Sequence, residues 1–231
     1  MGWLKRLAVT AIATLGLSGC ADFSQNLAVS ADGTATLKLE LAVAASMLAM
    51  TEDEGASFCS GSPPFEGVTS TSEMFAQGAD QVCRTTFSGT LDAIAAFVNQ
   101  NAVMPKPSAE NGGAAAPQIR QTLNKLGDNW RFDIIIPITG LPQQSTEPGA
   151  PKLDPKSMML AMVADRAFTF SVTAPAIIET TGQLTEDGKT ASFSLPLAML
   201  IGDPAPDQQF AVVFSPSAAG GPLDFLTNIF R

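Results

Sequence analysis

The sequence predicts an α+β fold, a mainly antiparallel β-sheet with helices inserted between hairpins and packed on the sheet. Three observations point to it. Apolar and polar residues alternate at period two in several short stretches, as where Leu37, Leu39 and Leu41 stand against Lys38 and Glu40. Turn signals, Asp32-Gly33 and Asp187-Gly188, separate such stretches. Between them lie segments spaced like helices, and neither an internal repeat nor a composition break divides the chain.

The first nineteen residues read as an export signal. Lys5 and Arg6 precede an apolar run from Leu7 to Leu17, which is too short to cross a hydrocarbon core of about 30 Å as a helix. The run ends in Leu17-Ser18-Gly19-Cys20. This resembles a bacterial lipobox, in which a leucine and two small residues direct diacylglyceryl transfer to the cysteine sulfur. The resemblance implies cleavage after Gly19 and lipidation at Cys20. Two or three acyl chains on one cysteine anchor firmly, because each buried methylene contributes about 0.8 kcal/mol. By similarity to enterobacterial sorting, Ala21 after the lipidated cysteine lacks the inner-membrane retention aspartate, which stands one place later as Asp22. That implies a cell-envelope location, lipid-anchored, on the outer membrane facing the periplasm in a Gram-negative cell.

Residues 1–19 carry two basic groups and no acid, so the 212 residues after them hold a formal charge of −11 against −9 for the whole chain. Such acidity opposes binding to nucleic acid and to anionic headgroups, and leaves membrane attachment to the acyl chains. With Cys20 set aside, Cys59 and Cys83 form an even pair in an exported chain, which predicts a disulfide.

Leu27 to Val29 and Thr34 to Val43 predict a half-buried hairpin around Ala31-Asp32-Gly33. Leu41 to Met50 is apolar and alanine-rich, followed by Glu52-Asp53-Glu54, and predicts a buried helix ending in a solvated turn. Residues 55–72 predict a loop pinned by the disulfide, and Ser72 to Gln77 one helical turn. Val82 to Ser88 predicts a strand, and Thr90 caps a helix whose Leu91, Ile94, Ala95 and Val98 share one face. Residues 101–117 and 141–157, rich in proline, predict two exposed loops. Between them, Gln118 to Leu126 predicts a short polar helix, and Trp130, Phe132, Ile134 and Ile136 one face of a strand. Lys156 to Asp165 predicts a helix carrying Met158, Met159 and Met162, a candidate apolar surface for acyl chains or a partner, although methionines at this spacing more often fill a core. Phe168, Phe170 and Val172 alternate as a strand, with antiparallel neighbours expected next. Ile177 to Gly182 and Thr190 to Leu197 predict a hairpin with Phe193, Leu195 and Leu197 inward, and Phe210, Val212 and Phe214 a last strand. Ser215 to Arg231 is too short and interrupted to span a membrane.

The stretch Phe168-Thr169-Phe170-Ser171-Val172-Thr173-Ala174-Pro175, then Ile177 to Gly182, then Asp187-Gly188 to Leu197, resembles the C-terminal signature of the mycobacterial LppM-type lipoprotein domain. The Asp-Gly hairpin just after Cys20 and the central insertions are similar too. The resemblance implies a β-sheet with packed helices, like lipid-binding membrane-associated domains, a noncatalytic role and no catalytic residues. Residues 20–231 are accordingly expected to form a single extracytoplasmic domain.

The chain has no histidine, which excludes Ser-His-Asp and Cys-His mechanisms and histidine-containing zinc sites. No phosphate-cradling glycine motif is present, and no cofactor or metal is implied. Glu52-Asp53-Glu54 lacks the spaced loop of a calcium site. Asp53, Glu54, Asp133, Asp165 and Glu179 could supply a carboxylate pair for glycan hydrolysis, but acids are usually solvated surface charge. The sequence favours a noncatalytic envelope lipoprotein whose partner is a lipid or an envelope protein. A structural lipoprotein contacting envelope proteins through its loops is the second reading, and a carboxylate-dependent glycan hydrolase the third.

Overall fold

The computed structural model describes residues 21–48, 59, 64–101, 119–138, 157, 160, 163–201 and 203–217. Most of that chain is strand, arranged as two sheets that share one apolar core, so the fold is closer to all-β than to the expected α+β. The correction has a simple cause. Three segments with helix-favouring composition form strands, because pairing with a sheet neighbour and packing on the core outweigh a weak intrinsic preference.

The first sheet opens with β1 (Ala21–Val29) and β2 (Thr34–Ala44), the predicted hairpin. β2 runs on through the alanines, with Leu41 and Val43 inward, because it lies between β1 and β4. Only Ala45–Leu48 turn helical, as the four-residue α1, so the long helix expected over 41–50 is absent from its described part. β3 (Val68–Gln77) replaces the loop end and helical turn expected there; it pairs along its whole length with β4 (Asp80–Thr90). Helix α2 (Leu91–Gln100) follows as expected. Thr90 Oγ1 accepts from the Ala93 amide at 3.2 Å, and Leu91, Ile94, Ala95 and Val98 are buried.

The second sheet begins with β5 (Arg120–Leu126), where a polar helix was expected, and β6 (Asn129–Ile138). Gly127, at φ +63°, allows the tight turn that folds β5 back on β6. β7 (Ala167–Thr173) returns to the first sheet. It pairs in parallel with β1, matching Phe23 to Phe168 and Leu27 to Val172. β8 (Ala176–Thr180) crosses to the second sheet, and the two-residue β9 (Gln183–Leu184) crosses back to pair with β10 (Thr190–Pro196). The expected hairpin between 177–182 and 190–197 is therefore corrected: β8 and β10 belong to different sheets, and β9 is the hairpin partner of β10. At the crossing Gly182 leaves no room for a side chain. A Cβ there would collide with the Ser192 carbonyl and approach Phe210 Cε2 to 2.7 Å. The chain ends its described part with α3 (Leu197–Ile201) and β11 (Ala205–Ser215).

The orders are β3-β4-β2-β1-β7-β10-β9 and β5-β6-β11-β8. Phe23, Leu27, Leu37 and Phe170 of the first sheet meet Phe132, Ile134, Phe210 and Phe214 of the second. Phe193 and Phe210 stack between the sheets at 5.9 Å. Within this core Gln25, 3% exposed, donates through Nε2 to Gln121 Oε1 at 2.8 Å, a polar bond between the layers that burial makes costly to leave unpaired. The loops expected at 101–117 and 141–157 and the segment after Ser217 lie almost wholly outside the described residues. Of the helix expected over 156–165, Ser157 and Leu160 carry helical backbone, residues 163–165 form a turn instead, and the other five lie outside the described residues.

Candidate functional site

β1 begins at Ala21, the residue after Cys20, and its first rung pairs Ala21 with Val43. The first polar side chain of that strand is tied down at once. Asp22 accepts from Arg166 Nη1 at 2.7 Å through one oxygen and from the Ala167 amide at 2.9 Å through the other. Arg166 also binds Asp80 through two nitrogens, at 2.7 and 2.9 Å. The parallel pairing of β1 with β7 creates this cluster, because it brings the starts of both strands to one end of the sheet, where β4 also starts.

The hydrogen bonds from Arg166 hold the Asp80 carboxyl below its ordinary range, against the opposing effect of burial. The two carboxylates, Asp80 first, raise the Arg166 guanidinium in turn. Backbone bonds brace the surroundings: the Leu197 amide at the start of α3 donates to the Arg166 carbonyl at 2.9 Å, and the Ala45 amide at the start of α1 to Ala79 at 3.0 Å. Cys59 and Cys83 are joined near this end, beside Leu41, Val43 and Leu48, as the even cysteine pair predicted.

The described carboxylates that the sequence offered for chemistry, Asp133, Asp165 and Glu179, do not all meet in one place. Asp133 is held by Arg131 at 2.8 Å on the outward face of the second sheet. Glu179 stands on the far side of Val213 from Arg131, and its charge adds to the raised Arg131 guanidinium after Asp133. Asp165 is exposed in the turn before Arg166, at the end of the other sheet. Asp53 and Glu54 lie outside the described residues, as do Leu17, Ser18, Gly19, Cys20, Met158, Met159 and Met162. A second ion cluster lies on the outward face of the first sheet. Arg84 binds Glu40 at 2.6 Å and Glu73 at 2.8 Å and lies over the Phe75 ring at 4.6 Å. Among the described residues, no group of three or more Cys, Asp or Glu side chains is placed to hold a metal ion.

Sequence reasoning missed the Asp22, Asp80 and Arg166 cluster. Its members are 58, 86 and 144 positions apart, and only the parallel strand pairing, which no local pattern encodes, brings them together.

No family model matches the chain. No curated protein matches it either. Among solved structures, the folded domain of LppM from Mycobacterium tuberculosis, determined by NMR, aligns over 85% of this chain and 90% of its own, with 13% identity and a TM-score of 0.47. An M1 zinc metallopeptidase of Deinococcus radiodurans aligns over 84% of this chain and 41% of its own, with 12% identity and a TM-score of 0.26.

Proposed function

We propose that this chain is a noncatalytic, membrane-anchored lipoprotein of the cell envelope that binds a lipid or another envelope component. The observation that carries the reading is the Leu17-Ser18-Gly19-Cys20 motif behind an apolar run, followed without a spacer by the first strand of the fold. A cysteine so placed becomes a new N-terminus whose acyl chains hold the protein at a bilayer. The missing histidine removes the usual general base, and of the described carboxylates offered for hydrolysis Asp133 is committed to Arg131 while Asp165 lies at the end of the other sheet, which supports a binding role over hydrolysis.

Cys20→Ser tests the anchor. The wild-type protein is expected in the membrane fraction with a diacylglyceryl mass on Cys20. The variant is expected to lose that mass, keep its signal peptide and be extracted by carbonate washing or appear in a soluble fraction. A variant that is processed and retained like the wild type would refute the reading. Copurified lipid or a crosslinked envelope protein, sought on the native wild-type protein, tests the binding role.

A further inference from the structure

We propose that the end of the first sheet formed by the start of β1, α1, the β3–β4 turn and α3 faces the bilayer surface, so that the strands of that sheet stand away from the membrane. The inference rests on acylation of Cys20. Consecutive Cα atoms are about 3.8 Å apart, so the residue that would bear the acyl chains lies one step from the Ala21–Val43 rung. No flexible spacer separates anchor from sheet. Asp22, one residue further, is clamped by Arg166 and the Ala167 amide, which fixes the direction in which β1 leaves the anchor.

Among the described residues formal charge does not separate the two ends of the sheet, so the orientation rests on the short tether and the Asp22 clamp. At the anchor end the exposed residues include Ala45, Ser46, Gln77, Gly78 and Ala79, and Met199 is 40% exposed on α3. Asp22 and Asp80 there share the Arg166 cation, and Asp165 and Asp203 are the exposed acids that flank this end in sequence. At the far end Asp32, Asp92, Glu186 and Asp187 are all exposed, with Lys189 the neighbouring cation. Nine residues of β1 at about 3.3 Å each put that end roughly 30 Å from the anchor. The far end is thereby kept clear of the headgroups, and the anchor end is held at the surface by its tether, not by charge.

The test uses full-length acylated protein in phosphatidylcholine vesicles that contain some headgroup-nitroxide phosphatidylcholine. A fluorophore is placed on the added thiol of Met199→Cys, or of Asp187→Cys at the far end, under nonreducing conditions that leave the disulfide closed. Gln77→Cys supplies a second position at the anchor end should Met199→Cys fail to fold. Quenching is expected to be several-fold stronger at Met199 or Gln77 than at Asp187. Protein that floats with the vesicles and carries its acyl mass, yet is quenched equally at both ends or more at Asp187, overturns the orientation and leaves the anchor standing. Protein without acyl mass on Cys20 overturns the anchor, and the orientation with it.

Discussion

Arg166 concentrates more of the fold on one side chain than its lone place before a strand suggests. Its guanidinium is 20% exposed and binds acids from β1 and from the start of β4, so it ties three strands at one point. The Asp80 carboxyl is depressed in the folded protein by that hydrogen bond. A depressed carboxylate adds stability that is present above the unfolded value, near pH 3.9 for aspartate, and is lost as the pH falls through the folded value. The wild-type melting temperature is therefore expected to drop more steeply below about pH 4 than that of Asp80→Asn, with the two curves converging in strong acid. Thermal melts followed by circular dichroism from neutral pH to pH 2 would check this. Parallel curves over that range would show that Arg166 gains nothing from Asp80's charge.

At the scale of elements, the edge of β5 carries the clearest consequence. An edge strand leaves backbone donors and acceptors open to any passing chain. Here Asn99 of α2 covers one such pair: its Nδ2 donates to the Leu123 carbonyl and its Oδ1 accepts from the Leu123 amide, both at 2.9 Å. The side chain imitates a neighbouring strand for one residue and latches helix to sheet. Asn99→Ala is expected to destabilise by about 1–3 kcal/mol, since two buried-edge partners are lost together. Urea unfolding would give the shift in midpoint at unchanged slope, and faster exchange of the Leu123 amide would localise it.

The same elements explain what the sequence allowed to be read. Trp130, Phe132, Ile134 and Ile136 alternate without interruption, so β6 was legible, and a threonine before a four-residue apolar face marked α2. β3 was not, because an outer strand with only Val68, Ser72 and Phe75 half-buried carries no apolar alternation. β5 looked helical because Gln, Leu and Lys favour helices, while its strand state comes from β6 beside it. The disulfide was legible from the parity of the cysteines together with the expectation of export. The ion cluster at the start of β1 was not, since its partners meet only through the pairing of distant strands.

For the whole molecule, the disulfide acts on the unfolded chain more than on the folded one. It closes a loop with a sequence separation of 24 and attaches the segment at Cys59 to the interior strand β4. On the chain-entropy model, Cys59→Ala with Cys83→Ala is expected to cost about 3–4 kcal/mol. Denaturant titrations of oxidised protein and the double variant would measure it, and a loss well under 1 kcal/mol would mean that the unfolded chain is already confined there.

β1 also decides how the molecule would carry a mechanical load. It lies between β2, which pairs with all nine of its residues, and β7, which pairs with six. A pull on the chain at residue 21, directed along the strand, would strain both ladders in shear, so that many bonds must yield together. A pull across an outer strand such as β3 would instead open its rungs one after another. Drag applied through the start of this chain thus falls on the part of the sheet best arranged to resist it.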